Sequence, residues 1–215
     1  MVKNWARPFL PVILLATFSL NGSAQDAKSI LSAVAKAMGS ENLKSLQYSG
    51  SGSTYDEKGQ HLVMKSYSRR LDLNAATSTA QLVVMQGTPA APQTTNQTIA
   101  ADSPWGIQFD FWVTPYGFLK GASTNNATVE NKTVGGEEYR VVSFTLPGNH
   151  KISGYIDAKN MIERVEAHLD NDVLVQSAFH EYQDFGGLKV PTIMTQTRNG
   201  QLALIVIVKD AKPNG

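Results

Sequence analysis

The sequence contains no cysteine among its 215 residues. A disulfide scaffold, thiolate chemistry and a lipid-modified N-terminal cysteine are therefore excluded for this chain. A fold without disulfides has to be stabilised by the burial of apolar side chains.

An excess of charge of either sign is also missing, because 19 basic and 18 acidic residues give a formal net charge of +1. Nucleic acids and anionic membrane surfaces are attracted by strongly basic proteins. This composition provides no strong positive electrostatic field. We therefore predict that the protein has no nucleic-acid partner.

The sequence has few long hydrophobic runs, and the main one lies near the N-terminus. It extends from Phe9 to Leu20, is interrupted by a proline, and is shorter than the roughly 20 residues that span a bilayer. Lys3 and Arg7 precede it and small residues follow it, which is the order of a secretory signal peptide. We predict that residues 1–24 are removed and that the mature chain, residues 25–215, is a single domain. No stable membrane anchor would then remain, and the protein would be periplasmic or secreted.

Recognisable catalytic motifs are absent. The four histidines are far apart in the sequence, and none lies in an H-x-H or H-E-x-x-H pattern. Neither a G-x-S-x-G nucleophile elbow nor a phosphate-binding P-loop occurs. We predict no metal, no cofactor and no catalytic residue, and therefore a protein that is not an enzyme.

The mature chain opens with an amphipathic helix. Its apolar side chains recur at helical spacing, at Ile30, Leu31, Val34 and Met38. Asp26 is the expected N-cap, and Gly39 is the expected residue at which the helix stops.

From Leu46 onward the pattern changes to short strands separated by turns. The turn residues are glycine, asparagine and aspartate, at 56–59, Gly135-Gly136, Lys159-Asn160, Asn171, Gly186-Gly187 and Asn199-Gly200. Strands joined in this way form an antiparallel meander with one face on the core. In one strand, Ile162, Val165 and Ala167 share a face only if the alternation slips by one residue. Residues 86–102 have turn composition without periodicity, and we interpret them as a mobile loop.

A helical insertion is predicted at about residues 103–125. Ser103-Pro104 and Thr114-Pro115 each combine an N-cap residue with proline at the first helical position. These pairs predict two short helices, at 104–112 and 115–124, and the Asn pair that follows is expected to end the second.

Two interpretations of this aromatic insertion compete. It is either a plug that completes the core on the concave face of a curved sheet, or a lid over a cavity for an apolar ligand. The lid interpretation is favoured by its position after a loop and within the sheet sequence. The candidate ligand-binding side chains are Trp105, Phe109, Trp112, Tyr116 and Phe118.

The order of helix, antiparallel sheet, helical insertion and further sheet resembles the LolA/LppX-like periplasmic carriers. The resemblance implies an α+β fold in which a strongly curved antiparallel half-barrel holds lipid chains, with helices over its concave face. It leads to our main hypothesis, an exported domain that binds an apolar molecule, a lipid or acyl chain, without catalysis.

A narrower resemblance covers roughly residues 26–214. The stretches GYIDAKNMIERVEAHLDN and HEYQDFGGLKVPTIMTQ, and the final VKDAKPN, are similar to the N-terminal accessory domain of exported metallo-β-lactamase-fold hydrolases. In that family the metal-binding H-x-H-x-D-H motif lies downstream of the final KPN, so none of its residues can be assigned here. The segment after Asn171 departs from the family pattern. The alternative hypothesis is therefore an accessory or interaction domain whose partner is a metallo-hydrolase domain.

Overall fold

The computed structural model describes residues 21–55, 59–87 and 89–215. Most of the predicted signal peptide, residues 1–20, lies outside the described residues. The described elements are α1 (Asn21–Met38), β1 (Ser45–Tyr55), β2 (His61–Asp72), β3 (Thr77–Gln86), β4 (Ala91–Ile99), α2 (Trp105–Trp112), α3 (Pro115–Thr124), β5 (Thr128–Val134), β6 (Glu137–Leu146), β7 (His150–Ile156), β8 (Ile162–His168), β9 (Leu174–Phe185), β10 (Leu188–Arg198) and β11 (Gln201–Pro213). Among these, no helix is long and apolar enough to cross a membrane.

Helix α1 ends as predicted but begins earlier. Gly39 has a φ of 67°, and the amides of Gly39 and Ser40 donate to the carbonyls of Lys36 and Ala35, the bonding of a glycine-terminated helix. Asp26, however, is an exposed residue inside the helix, so its prediction as N-cap is wrong. The helix extends back to Asn21 because no proline or β-branched residue lies between Asn21 and Asp26.

All strands belong to a single antiparallel sheet with the order β4-β3-β2-β1-β11-β10-β9-β8-β7-β6-β5. Two meanders, β1 to β4 and β5 to β11, join where the first strand pairs with the last. The strands at the two edges, β4 and β5, are consecutive in sequence and are linked by α2 and α3. The two helices therefore connect opposite edges of the sheet, which requires the sheet to curve around them.

Most of the predicted turns are confirmed, whereas the turn predicted at 56–59 lies largely outside the described residues. Gly135-Gly136, Gly186-Gly187 and Asn199-Gly200 have positive φ at both central positions, as tight hairpins require. The slip predicted in β8 is also confirmed, because the pairing of β7 with β8 shifts register and Ile162 and Val165 are both fully buried.

The prediction of a mobile loop over residues 86–102 is wrong, because β4 occupies most of this segment. Ala91–Ile99 pairs with β3 along its length, from Gln86↔Ala91 to Ser78↔Ile99. Only the last residue of β4 is buried, so no apolar alternation marks the strand in the sequence. Backbone pairing and β-branched threonines, rather than a hydrophobic face, account for it.

Bulges help to bend the sheet near its centre. The register of β1 against β2 and β11 shifts around Gly50 and Gly52. A Cβ atom on either glycine would lie 1.9 Å from a carbonyl oxygen of β11, so only glycine allows this close approach. Bulges increase local twist and bend the strand that carries them.

Candidate ligand-binding site

The break between α2 and α3 is fixed by Thr114, as the sequence predicts. Its side chain accepts a hydrogen bond from the amide of Gly117 at 3.0 Å and donates one to the carbonyl of Phe111 at 2.7 Å. Pro115 takes the first helical position, where an amide hydrogen is not needed. After α3, Asn126 adopts a φ of 42°, which confirms the predicted stop.

Ser103 does not cap α2, so this prediction is wrong. The residue before the helix is Pro104, which makes no side-chain capping bond. The Ser103 hydroxyl instead accepts a hydrogen bond from the amide of Ala100 at 2.9 Å. Ser103 therefore stabilises the turn that follows β4.

Trp105 faces the sheet. Its indole nitrogen donates to the carbonyl of His168 at 2.7 Å, and its ring stacks on His150 with centroids 4.3 Å apart and an interplanar angle of 9°. Only 7% of the side chain is exposed. Trp105 therefore attaches the start of α2 to β7 and β8.

Trp112 and Phe118 fill the core beneath both helices. Trp112 meets Phe111 and Phe144 edge to face, with centroids 5.0 and 6.4 Å apart. Phe118 is fully buried and lies 5.7 Å from the ring of Phe144. The indole nitrogen of Trp112 has no acceptor among the described residues. This region of the insertion is close-packed.

Tyr116 is also buried, and its hydroxyl donates to the carbonyl of Lys189 at 2.6 Å. Burial raises the pKa of the Tyr116 phenol, so the hydroxyl stays protonated and keeps this donor role. The bond attaches α3 to β10.

A hollow of about 340 Å³ lies on the other side of α2, between the helix and the sheet. Its wall combines α2 with β1, β2, β3, β4, β10 and β11, and its apolar lining includes Tyr67, Leu82, Phe109 and Leu204. At its mouth, Ile107 is 43% exposed and Leu202 is 37% exposed. The structure thus brings Phe109 to the hollow, whereas the other four predicted ligand-binding side chains are not among its lining residues.

A buried ion pair lies next to this hollow, and its acid, Asp110, is one of the lining residues. The Arg69 guanidinium lies 3.0 Å from the Asp110 carboxylate and donates to the Asp110 carbonyl at 3.1 Å. It also donates to the Ser78 hydroxyl at 3.0 Å, and the Gln196 amide lies 3.3 Å from the other carboxylate oxygen. Arg69 is 5% exposed. Because Asp110 is on α2 and Arg69 is on β2, the pair connects the helix to the sheet.

Two tyrosines border the ion pair. Burial raises the pKa of both Tyr48 and Tyr67, whose rings lie 6.0 Å apart. Burial alone would lower the pKa of Arg69, but the charge of Asp110 offsets this effect and the net shift is upward. Arg69 therefore stays a cation, paired with the acid that lines the hollow.

Arg69 was not among the residues predicted from the sequence, although the sequence contains a signal for it. Tyr67, Arg69 and Leu71 alternate along β2 and are all buried. A charge in a row of inward-facing positions requires a partner, since an unpaired buried charge is very costly. Its partner is the one acid of the aromatic insertion.

A small cavity of about 30 Å³ adjoins the hollow and shares Tyr67, Asp110 and Gln196 with it, and larger concavities lie elsewhere on the described surface. One of about 460 Å³ is lined largely by charged side chains such as Asp157, Lys159 and Glu163. Within the described ranges, no three histidine or acidic side chains come together as metal ligands. The hollow under α2 has a mixed lining, in which apolar side chains such as Phe109 and Leu204 stand beside polar ones such as Gln97 and Gln196. Small-molecule sites also combine apolar and polar groups.

No family model and no curated protein matches the sequence. The narrower resemblance to an accessory domain of metallo-β-lactamase-fold hydrolases thus finds no support in these comparisons. It stays a prediction.

Solved structures match the fold. A LolA superfamily protein from Nitrosomonas europaea has a TM-score of 0.55 at 15% identity, over 88% of this chain and 94% of that one. A domain assigned to outer membrane lipoprotein sorting in Vibrio parahaemolyticus has a TM-score of 0.53 at 8% identity, over 90% and 93% of the two chains. A DUF1329 family protein from Desulfovibrio piger has a TM-score of 0.52 at 10% identity, over 87% and 93%. At these identities the similarity concerns the fold alone, and it confirms the predicted α+β half-barrel: the chain has a LolA-like fold.

Proposed function

We propose that this protein is an exported, non-enzymatic carrier domain that holds one apolar chain in the hollow under α2. The observation that carries the proposal is the hollow itself, about 340 Å³ in volume and placed between a helix and the concave face of a curved sheet. Its volume lies in the roughly 300–1,000 Å³ range of small-molecule sites. One structural neighbour is a LolA superfamily protein and another is described as a lipoprotein-sorting domain, which supports the same class of function.

The five aromatic side chains would have two different roles in this proposal. Phe109 lines the hollow and would contact the ligand directly. Trp105, Trp112, Tyr116 and Phe118 would hold the helices against the sheet, so that one wall of the hollow keeps its position. The insertion would then be a lid on the side of Phe109, which lines the hollow, and a plug on the side of Trp112 and Phe118, which pack in the core.

Desolvation would supply the affinity. Each methylene moved from water into an apolar site gains about 0.8 kcal/mol. A chain that buries about eight methylenes would gain roughly 6 kcal/mol before the costs of ordering are subtracted. An acyl chain or a lipid of modest length satisfies this requirement.

Filling part of the hollow should weaken binding. Leu82 is half-buried and lines the hollow, so we expect Leu82→Trp to reduce the affinity for a neutral long-chain alcohol by at least about tenfold, the loss of roughly two buried methylenes. The measurement is displacement of an uncharged environment-sensitive dye from the purified mature chain. Organic extraction and mass spectrometry of the same preparation would identify any lipid that copurifies.

Val83→Trp is the matched control, because Val83 is the next residue of β3, is half-buried and points to the other face of the sheet. It should leave the affinity unchanged. Equal affinities for the two variants and the parent chain would place the dye elsewhere and would sink the proposal.

A second candidate is an interaction domain that binds a metallo-hydrolase domain. The observation that favours it over a carrier is that Trp112 and Phe118, two of the candidate ligand-binding residues, pack in the core and do not line the hollow. It would gain support if no lipid copurifies and the dye gives no signal with the parent chain. Coprecipitation with a metallo-hydrolase domain encoded in the same genome would then be the test.

A further inference from the structure

Two charged side chains are among the described residues that line the hollow, and they are in different situations. Asp110 is paired with Arg69, so its charge is neutralised. Arg198 lies at the exposed end of β10, and no carboxylate of the described residues lies within ion-pair distance of it. Among the described residues, the positive charge of Arg198 at the mouth of the hollow therefore has no carboxylate partner.

The position of Arg198 is set by its neighbours. Its guanidinium carbon lies 5.8 Å from the centre of the Phe109 ring, and Phe109 also lines the hollow. A guanidinium near an aromatic face is attracted to the ring, and its N–H groups can still donate hydrogen bonds to a ligand. Gln97 and Gln201 add neutral donors to the same wall.

We propose that the hollow selects anionic single-chain amphiphiles over neutral ones. The acyl chain would lie against Phe109, Leu82 and Leu204, and its carboxylate or phosphate would meet Arg198 at the mouth. This inference rests on the proposed function, because the chain has to enter the hollow for the head group to reach Arg198.

The preference for anionic head groups would have to come from Arg198 and not from the charge of the whole protein. The chain is nearly neutral overall, with 19 basic and 18 acidic residues, so no general field draws anions to it. A planar guanidinium also matches the two oxygens of a carboxylate or a phosphate. Removal of this one side chain should therefore remove the preference for an anionic head group.

The test compares four probes at neutral pH and low salt, by calorimetry or by displacement of an uncharged dye. The probes are decanoate, a decanoyl lysophosphatidate, decanol and inorganic phosphate. We expect both anionic amphiphiles to bind about fivefold more tightly than decanol, the effect of one partly exposed ion pair. Inorganic phosphate should not compete, and high salt should bring the ratio close to one.

Arg198→Gln should reduce the fivefold preference to near one, and an unchanged midpoint of urea unfolding would show that the variant is folded. Lys209→Gln is the matched control, since it removes one exposed positive charge from β11 without touching the hollow. Equal affinities for decanoate and decanol in the parent chain, or a preference that survives Arg198→Gln, would overturn the inference. Competition by inorganic phosphate would also overturn it, because an anion site would then exist without the chain.

The two proposals fail differently. If decanol and decanoate both fail to bind, the proposed carrier function is wrong. If decanol binds and the head group makes no difference, only the selectivity inference is wrong.

Discussion

Replacement of Asp110 by alanine is expected to lower the free energy of unfolding by about 3–5 kcal/mol, the usual cost of removing one partner of a buried ion pair. Arg69 is 5% exposed and would be left without a carboxylate. The Gln196 amide would lose the same partner. Urea unfolding of the mature chain, followed by the fluorescence of Trp105 and Trp112, measures the change.

Two further variants separate this effect from a general loss of acidity. Asp102→Ala removes an exposed carboxylate just before α2 and should change the stability by no more than about 0.5 kcal/mol. The double variant Arg69→Met, Asp110→Leu removes both charges and should recover most of the loss. A cost below about 1 kcal/mol for Asp110→Ala would show that the pair does not hold α2 to β2.

Phe118→Ala should be about as destabilising, by roughly 3–5 kcal/mol, because a fully buried aromatic ring would leave a cavity. The ring lies between Phe144 and the backbone of β7. Thermal or urea unfolding provides the measurement. Phe185→Ala is the control, since Phe185 is half-buried at the end of β9 and should cost less.

Gly154 on β7 makes this prediction sharper. A Cβ atom there would lie 2.3 Å from the Phe118 ring, so Gly154→Ala alone should cost about 1–3 kcal/mol through overpacking. In the Phe118→Ala background the added methyl meets no ring. The double variant should therefore be more stable than the sum of the single effects by at least about 1 kcal/mol. Strict additivity would mean that the ring does not pack on Gly154.

The helical insertion could be predicted from sequence because its determinants are local. A threonine followed by proline specifies the start of α3, and the aromatic spacing specifies which sides of the helices are buried. The tight turns were predictable for the same reason, since positive φ at adjacent positions requires glycine or asparagine.

Strand β4 could not be predicted from periodicity, because eight of its nine residues are exposed and neither face is apolar. The strand is defined by the pairing of its backbone with β3, and backbone pairing leaves no pattern in the sequence. Ser103 shows a related limit. A hydroxyl before a helix can bond to either side, and here it bonds to the preceding turn.

The hollow was beyond sequence reasoning for a different reason. Its walls come from β1 to β4, from α2 and from β10 and β11, which are brought together only by the pairing of the first strand with the last. The aromatic residues attracted attention because they cluster in the chain. Most of them pack where the core is full, whereas the hollow is bordered by isolated residues such as Leu82 and Arg198.

The position of a bound chain tests the account most directly. Crystals of the mature protein grown with a terminally brominated decanoate would locate the bromine by its anomalous scattering. We predict a peak inside the hollow, in contact with Phe109 and Leu82, with the carboxylate toward Arg198. A bromine peak at another place on the protein, with no chain density in the hollow, would contradict the account.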